Sequence, residues 1–432
     1  MPSALTADGP HAPDRRATTP SSARRVLIAG AAGNAMEWYD FAVYGYFAPI
    51  IGARFFPSRD PTASLIAAFG VFAAGFLMRP LGAVVFGHVG DRLGRRPALT
   101  ISTIAMAVPT FLMGIVPDYQ QIGASAALLM IGLRLLQGLS VGGEYTTSIV
   151  YLVESAPPGR RGRTGSWTPA GGLIGTVLGS AVADAVSSVL PSSALAAWGW
   201  RIPFVLGLAV GLAAWYVRRR IPETLGQPAV ARLPLIDALR TEYPSMLRIF
   251  AMGLMLGVGF YMTFVYTVTF VQQLGHVGAA KALDVNTLNM VVLLVTTLAA
   301  GALSDRIGRR PLMIGAALAM LVLAYPLFWL VSRPDAGAVL VGQMGFALIL
   351  GVFLGPLPAT MAEAFPSRVR CSALSLSYNL GQAIFGGTTP LVATYLIARS
   401  SDDLSPAFYL MFMAAVSLIA VLSGRERPTS IE

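Results

Sequence analysis

Gly87-His88-Val89-Gly90-Asp91-Arg92-Leu93-Gly94-Arg95-Arg96-Pro97 lies between two long apolar runs and recurs as Gly301-Ala302-Leu303-Ser304-Asp305-Arg306-Ile307-Gly308-Arg309-Arg310-Pro311. The copies stand 214 residues apart in a chain of 432. A second echo follows each of them: Glu154, Pro157 and Arg161 match Glu363, Pro366 and Arg370, each 209 residues on. A charged hairpin repeated at half the chain length predicts an internal duplication, and the fold is read from it.

Composition sets the solvent. Hydrophobic residues make up 55% of the chain and charged residues 12%, with a mean hydropathy of +0.65. A soluble domain carries roughly twice that share of charge. The formal charge of +10 does not point to nucleic acid, because the 30 arginines and one lysine sit in short gaps between apolar stretches rather than in a groove interleaved with aromatics. The lone Cys371 excludes an intramolecular disulfide. No histidine cluster suggests a metal, no nucleophile–base spacing suggests an enzyme, and no Gly-rich loop ending in Lys-Ser/Thr is present to hold ATP.

A membrane-crossing helix needs about 20 mostly apolar residues. That rule predicts twelve spans, at 26–52, 62–87, 97–117, 122–153, 164–188, 198–217, 248–273, 282–303, 311–332, 337–361, 371–398 and 406–424. The expected architecture is an all-α membrane protein of two six-helix halves related by a pseudo-twofold axis. The halves are 26–217 and 248–424, joined by a linker at 218–247 and flanked by a disordered tail at 1–25 and a short one at 425–432. Of the 31 basic residues, 23 fall on the side of the hairpins and both tails and only six on the other. The bias predicts both termini in the cytoplasm of a bacterial-type inner membrane.

Gly90 and Gly94, with Gly308 in the second copy, are expected to permit sharp reversals. Asp91 and Glu154 are expected to pair with Arg95 and Arg161, with Arg92 and Arg96 beside them, and Asp305, Arg309, Glu363 and Arg370 to repeat the arrangement. Such pairs would latch the cytoplasmic face and break when it opens. Gly171, Gly175 and Gly179, and Gly253 and Gly257, recur every four residues, a spacing that lets helix backbones approach closely.

Ionisable groups in mid-span cost about 2.5–3.5 kcal/mol on insertion scales and therefore mark function. Glu37 lies eleven residues past Val26, near mid-depth, and Asp40 and Tyr44 follow on the same face. Arg134 is near the middle of the fourth span, with Gln137, Val141, Glu144 and Tyr145 continuing along it, while Arg79 lies nearer the hairpin. A guanidinium matches a carboxylate with two parallel hydrogen bonds, so Arg134 is the expected substrate contact, with Arg79 a second and Gln137 and Tyr44 beside them. Desolvation favours the neutral form of a carboxylate, so Glu37 or Asp40 is the expected proton carrier, with Glu144 a further coupling or gate residue. The second half offers neutral groups: Tyr261, Tyr266, Asn289, Gln343, Tyr378, Asn379 and Gln382, with Pro356 and Pro358 to bend the tenth span.

Both hairpins resemble the G-x-x-x-D-R-x-G-R-R loop of the major facilitator superfamily. Further stretches are similar to its metabolite:proton symporter branch: Gly33-Asn34-Ala35-Met36-Glu37-Trp38-Tyr39-Asp40-Phe41, Gly75-Phe76-Leu77-Met78-Arg79-Pro80-Leu81-Gly82 and Arg134-Leu135-Leu136-Gln137-Gly138-Leu139-Ser140-Val141-Gly142-Gly143-Glu144. The resemblance implies a carrier working by alternating access, with the first and fourth helices lining a central cavity. It implies a small-molecule substrate, the bilayer as surroundings, action as a monomer, and no cofactor beyond a coupling ion, a proton or alternatively sodium. The expected cargo is a small organic acid such as α-ketoglutarate or citrate, imported with protons. The alternatives are a proline/betaine-type zwitterion taken up with protons and, on the partial match of Gly165-Ser166-Trp167-Thr168-Pro169-Ala170-Gly171-Gly172 to a glycine-proline motif of antiporters, a proton-coupled exporter.

Overall fold

A computed structural model describes residues 20–219, 234–267, 270–271 and 279–424. His11, His276, most of the N-terminal tail, the Pro-rich centre of the linker and the tail at 425–432 lie outside these residues. The first half contains α1 (Pro20–Phe55), α2 (Pro61–Leu77), α3 (Arg79–Arg92), α4 (Arg95–Ile115), α5 (Ala124–Glu154), α6 (Arg161–Gly165), α7 (Trp167–Val189) and α8 (Arg201–Arg218). The short α9 (Pro234–Thr241) leads to α10 (Tyr243–Tyr261), α11 (Ala279–Ile307), α12 (Arg309–Val331), α13 (Ala336–Leu354), α14 (Leu357–Glu363), α15 (Arg370–Gly381), α16 (Thr389–Ser400) and α17 (Ser405–Leu422).

Ten segments among the described residues are long and apolar enough to cross a bilayer. The two expected spans missing from that set are the first, diluted by Asn34, Glu37 and Asp40, and the eleventh, opened by Arg370 and three serines. Both form helices, α1 and the α15–α16 pair, so the chain is an all-α protein of twelve crossings in two halves of six. Their polar residues are held by neighbouring helices rather than by lipid, as shown below.

Several spans expected to be continuous are broken. Met78 interrupts the second, ahead of Arg79-Pro80, and Gly355-Pro356 separates α13 from α14, as the prolines required. Wide π-type turns occupy Met262–Tyr266, directly after the cavity-lining Tyr261, and Gln382–Gly386, which begins with the cavity-lining Gln382. Such turns re-aim side chains and often accompany functional sites.

Each hairpin reverses on one glycine. Gly94 has φ 110° and Gly308 φ 91°, backbone that a side chain disfavours. Gly90, expected to help the reversal, instead lies inside α3, and a Cβ there would stand 3.0 Å from the Cys371 sulfur. Its role is close helix approach. Gly171, Gly175 and Gly179 bring α7 against the backbone of Ala31, Ala35 and Tyr39 on α1, and Gly138 and Gly142 bring α5 against Gly75 and Arg79. Lipid tails are as apolar as leucine, so close packing and buried hydrogen bonds hold such helices together more than exclusion from water does.

Candidate functional site

A cavity of about 60 Å³ lies between the halves. Its charged lining is Glu37 on α1 and Arg79 at the start of α3, beside the break that Pro80 enforces. Glu37 Oε1 is 3.5 Å from Arg79 Nη2, and both side chains are buried. The pair is loose: Glu37 Oε2 and Arg79 Nε and Nη2 have no hydrogen-bond partner among the described residues. The guanidinium rests on the faces of Phe76, 4.3 Å from its centroid, and Phe41, at 5.5 Å.

Aromatic rings form much of the remaining wall. Trp38 meets Phe260 edge-on at 5.3 Å, and Tyr261 meets Phe76 at 6.0 Å. Tyr145 of the first half stacks on Tyr378 of the second at 5.1 Å and 17°. Asn379 donates both amide hydrogens, to the carbonyls of Gly142 across the halves (2.7 Å) and of Ser375 (2.9 Å). Gln382 lines the cavity beside Gly257, where any Cβ would stand 2.9 Å from its Oε1. Of the predicted residues, Glu37, Arg79, Tyr261, Tyr378, Asn379 and Gln382 therefore meet at one place. Trp38, quoted above only within a motif, and Tyr145 join them. The sequence signal for Trp38 was its place beside Glu37.

Arg134, Gln137 and Tyr44, the expected substrate contacts, and Asp40 do not line this cavity. Arg134 Nη1 donates to Asp40 and to Gln137. The other Asp40 oxygen accepts from Thr110 at 3.0 Å and Gln137 at 2.9 Å. Three rings, of Phe41, Tyr44 and Phe72, cover the Arg134 guanidinium at 5.3, 4.1 and 5.1 Å, and the Tyr44 hydroxyl donates to the Ala68 carbonyl. Helical spacing placed Arg134 at the right depth, but Asp40 draws it into the body of the first half.

Glu144 is likewise outside the cavity wall. Arg218 holds it at 2.5 Å while donating to the Leu99 carbonyl and to Thr103. Arg218, the first residue of the expected linker, is fully buried. Asn289 and Gln343 hydrogen-bond each other at 3.1 Å, away from the cavity.

The hairpin face is closed by two matching latches. Asp91 accepts the backbone N–H groups of Cys371 (3.0 Å) and Ser372 (2.8 Å). Asp305 accepts those of Gly162 (2.7 Å) and Arg163 (2.8 Å), the positions 209 residues earlier. The Glu–Arg partners are exchanged relative to expectation. Glu154 binds Arg95 and, at 2.6 Å, Arg370 of the second half; Glu363 binds Arg309 and, at 3.3 Å, Arg161 of the first. Every latch thus ties one half to the other. Arg92 and Arg96, expected beside these pairs, are exposed, and Arg96 donates to the Arg219 carbonyl of its own half.

The chain's relatives agree with this architecture. The family model for sugar (and other) transporters matches residues 26–225 and 235–424. A glycine betaine/proline/ectoine/pipecolic acid transporter of Dickeya dadantii is 35% identical over 418 residues, covering 93% of this chain and 83% of that protein. A proline/betaine transporter of Escherichia coli K12 has the same identity and coverage. Among solved structures, a proton:xylose symporter bound to 6-bromo-6-deoxy-D-glucose superposes with a TM-score of 0.76 at 18% identity, covering 93% of this chain and 95% of the other. The human organic anion transporter MFSD10 gives 0.69 at 16%, covering 93% and 100%. At such identities the structural likeness shows the fold alone. With the family model spanning nearly all of both halves, the chain belongs to the sugar (and other) transporter family of the major facilitator superfamily, a family of multi-pass membrane transporters rather than enzymes.

Proposed function

We propose that this transporter takes up a small zwitterion of the betaine or proline class together with a proton. One observation carries the reading: among the described residues, the cavity lining holds one guanidinium and one carboxylate, and aromatic rings form much of the rest. A zwitterion fits both parts. Its carboxylate meets the unpartnered Arg79 N–H groups, and its cationic end meets the ring faces of Trp38, Phe260, Tyr145 and Tyr378. A di- or tricarboxylate would bring two or three negative charges into a lining with no net charge to receive them, and each uncompensated charge costs several kcal/mol after desolvation. Betaine and proline in the names of the 35% identical relatives support the same choice.

Coupling follows from the loose pair. Glu37 faces Arg79 on α3, Tyr145 on α5, Tyr261 on α10 and Tyr378 on α15, with Asp40, Glu144 and Arg218 the next charges out. When Glu37 takes a proton, its claim on Arg79 lapses and the substrate carboxylate takes its place. A zwitterion and a proton cross together as one positive charge, so an inside-negative potential supplies about 2.3 kcal/mol per 100 mV. The arginine bias supports a cytoplasmic hairpin face in a bacterial-type inner membrane. The closed latches then make this an outward-facing or occluded conformation, and a single chain holds the whole cavity, consistent with action as a monomer.

Uptake into proteoliposomes under an inward proton gradient tests the proposal. Labelled betaine and proline should accumulate and collapse with an uncoupler, while α-ketoglutarate and citrate should not. Accumulation of the organic acids without betaine would restore a carboxylate carrier, and betaine extrusion against the gradient would make it an exporter.

A further inference from the structure

A second cavity, of about 790 Å³, opens on the hairpin face, lined mainly by the second half with Pro158, Gly159 and Arg161 of the first. We infer that it binds a phosphate-bearing anion, either a free phosphate compound or a phospholipid headgroup. Its lining contains Arg161, Arg248, Arg309 and Arg310 against Asp305 and Glu363, an excess of two formal positive charges. Both carboxylates are engaged: Asp305 accepts backbone N–H groups, and Glu363 already receives Arg161 and Arg309. Arg310 has a buried Nε without a hydrogen-bond partner among the described residues. The helix α12 begins at the cavity, and Gly308, which opens it, offers its first turn no side-chain cap. A helix N-terminus and guanidinium groups converging on one hollow make an anion site.

The first half shows that the hollow is not required by the fold. Arg310 donates to the Leu422 carbonyl just as Arg96 donates to the Arg219 carbonyl. The residue before Arg219 is Arg218, whose guanidinium fills the corresponding space against Leu99, Thr103 and Glu144. The residue before Leu422 is Val421, which lines the cavity together with Met313, the counterpart of Leu99 by the 214-residue repeat. Where the first half has the buried Arg218, the second has Val421, and arginines of both halves stand around open volume instead. An anion there competes with Glu363 for Arg309 and so loosens the Arg161 tie to the other half.

The test needs no transport substrate, so its failure is separate from failure of the uptake proposal. The intact purified protein is titrated with inorganic pyrophosphate in neutral detergent, with chloride at matched ionic strength as control, and the thermal midpoint is followed. In a second arm, nanodiscs of phosphatidylcholine with or without phosphatidylglycerol are examined for retained lipid by native mass spectrometry. Pyrophosphate should raise the midpoint, and Arg310→Gln should weaken its apparent affinity at least about tenfold. Arg310→Lys should restore part of it, and Val421→Trp, which narrows the hollow beside Arg310 and leaves every charge in place, should weaken it too. The exposed Arg306→Gln should bind as wild type. Retention of phosphatidylglycerol alone, lost in the same variants, assigns the site to a headgroup. Neither probe binding above the chloride control, or Arg310→Gln and Val421→Trp both binding like wild type, overturns the inference.

Discussion

Arg79 and Arg134 are both guanidiniums buried among apolar helices, and their surroundings give them opposite duties. Both leave Nε and Nη2 without a hydrogen-bond partner among the described residues, but Arg134 is enclosed by Asp40, Gln137 and three rings, whereas Arg79 has a single carboxylate at 3.5 Å and lines the cavity. Arg134→Ala should therefore act on folding. Leaving Asp40 buried and unpaired costs about 3–5 kcal/mol, and the loss should appear as a lower thermal midpoint that Asp40→Asn partly restores. Arg79→Lys should leave the midpoint nearly unchanged and cut uptake kcat/KM by about 100-fold, since an ammonium cannot reproduce two parallel hydrogen bonds. Equal thermal loss in both variants would contradict this division. Depth in the membrane was legible from residue counts at 1.5 Å per residue, so all of these charges were found. Which acid claims which arginine was not legible. Glu37 and Asp40 stand three residues apart on one face, and only the neighbouring helix decides between them.

At the scale of elements, glycine positions set where helices touch. Gly90 faces the sulfur of Cys371, and Asp91 beside it holds the N-terminal backbone of α15. Cys371 is fully buried by this contact and is the lone cysteine of the chain. It should resist a maleimide while the latch is shut. Asp91→Asn, which weakens the hold on Cys371 and Ser372, should raise the labelling rate at least about tenfold, and Gly90→Val should do the same by forcing the helices apart. Unchanged labelling in both variants would mean that this contact does not govern opening. The repeat offset identified the latch residues, because duplication preserves residue types. It did not identify their partners: an offset relates Glu154 to Glu363 as copies, and says nothing of the crossing by which Arg370 and Arg161 are exchanged. Broken spans were legible where proline stood, at Pro356 and Pro358, and not where a π-type turn formed at Gln382–Gly386 without one.

The molecule as a whole is two similar halves with charge distributed unequally between them. Both contribute the same latches at the hairpin face, yet the two charged residues of the central cavity come from the first half, while the second supplies rings and amides. Opening the hairpin face must break cross-half ion pairs in both latches. Removing one of them, as in Glu154→Gln, should shift the conformational balance toward the hairpin-open state, seen as faster Cys371 labelling with lower substrate affinity from the opposite side. The internal duplication made this symmetry readable from sequence, whereas the cavity was not, because its lining comes from side chains scattered over seven helices.

The central claim is that a proton on Glu37 hands Arg79 to the substrate carboxylate. Betaine binding to the purified protein, measured across pH 8 to 5.5 for wild type and Glu37→Gln, tests it most directly. Protonating Glu37 frees Arg79, so wild-type affinity should rise as pH falls, by at most about tenfold per unit, the limit for one linked proton. Glu37→Gln should bind betaine tightly with no slope. A Glu37→Gln protein that keeps the wild-type slope, or a wild type whose affinity falls toward acid pH, would contradict the account.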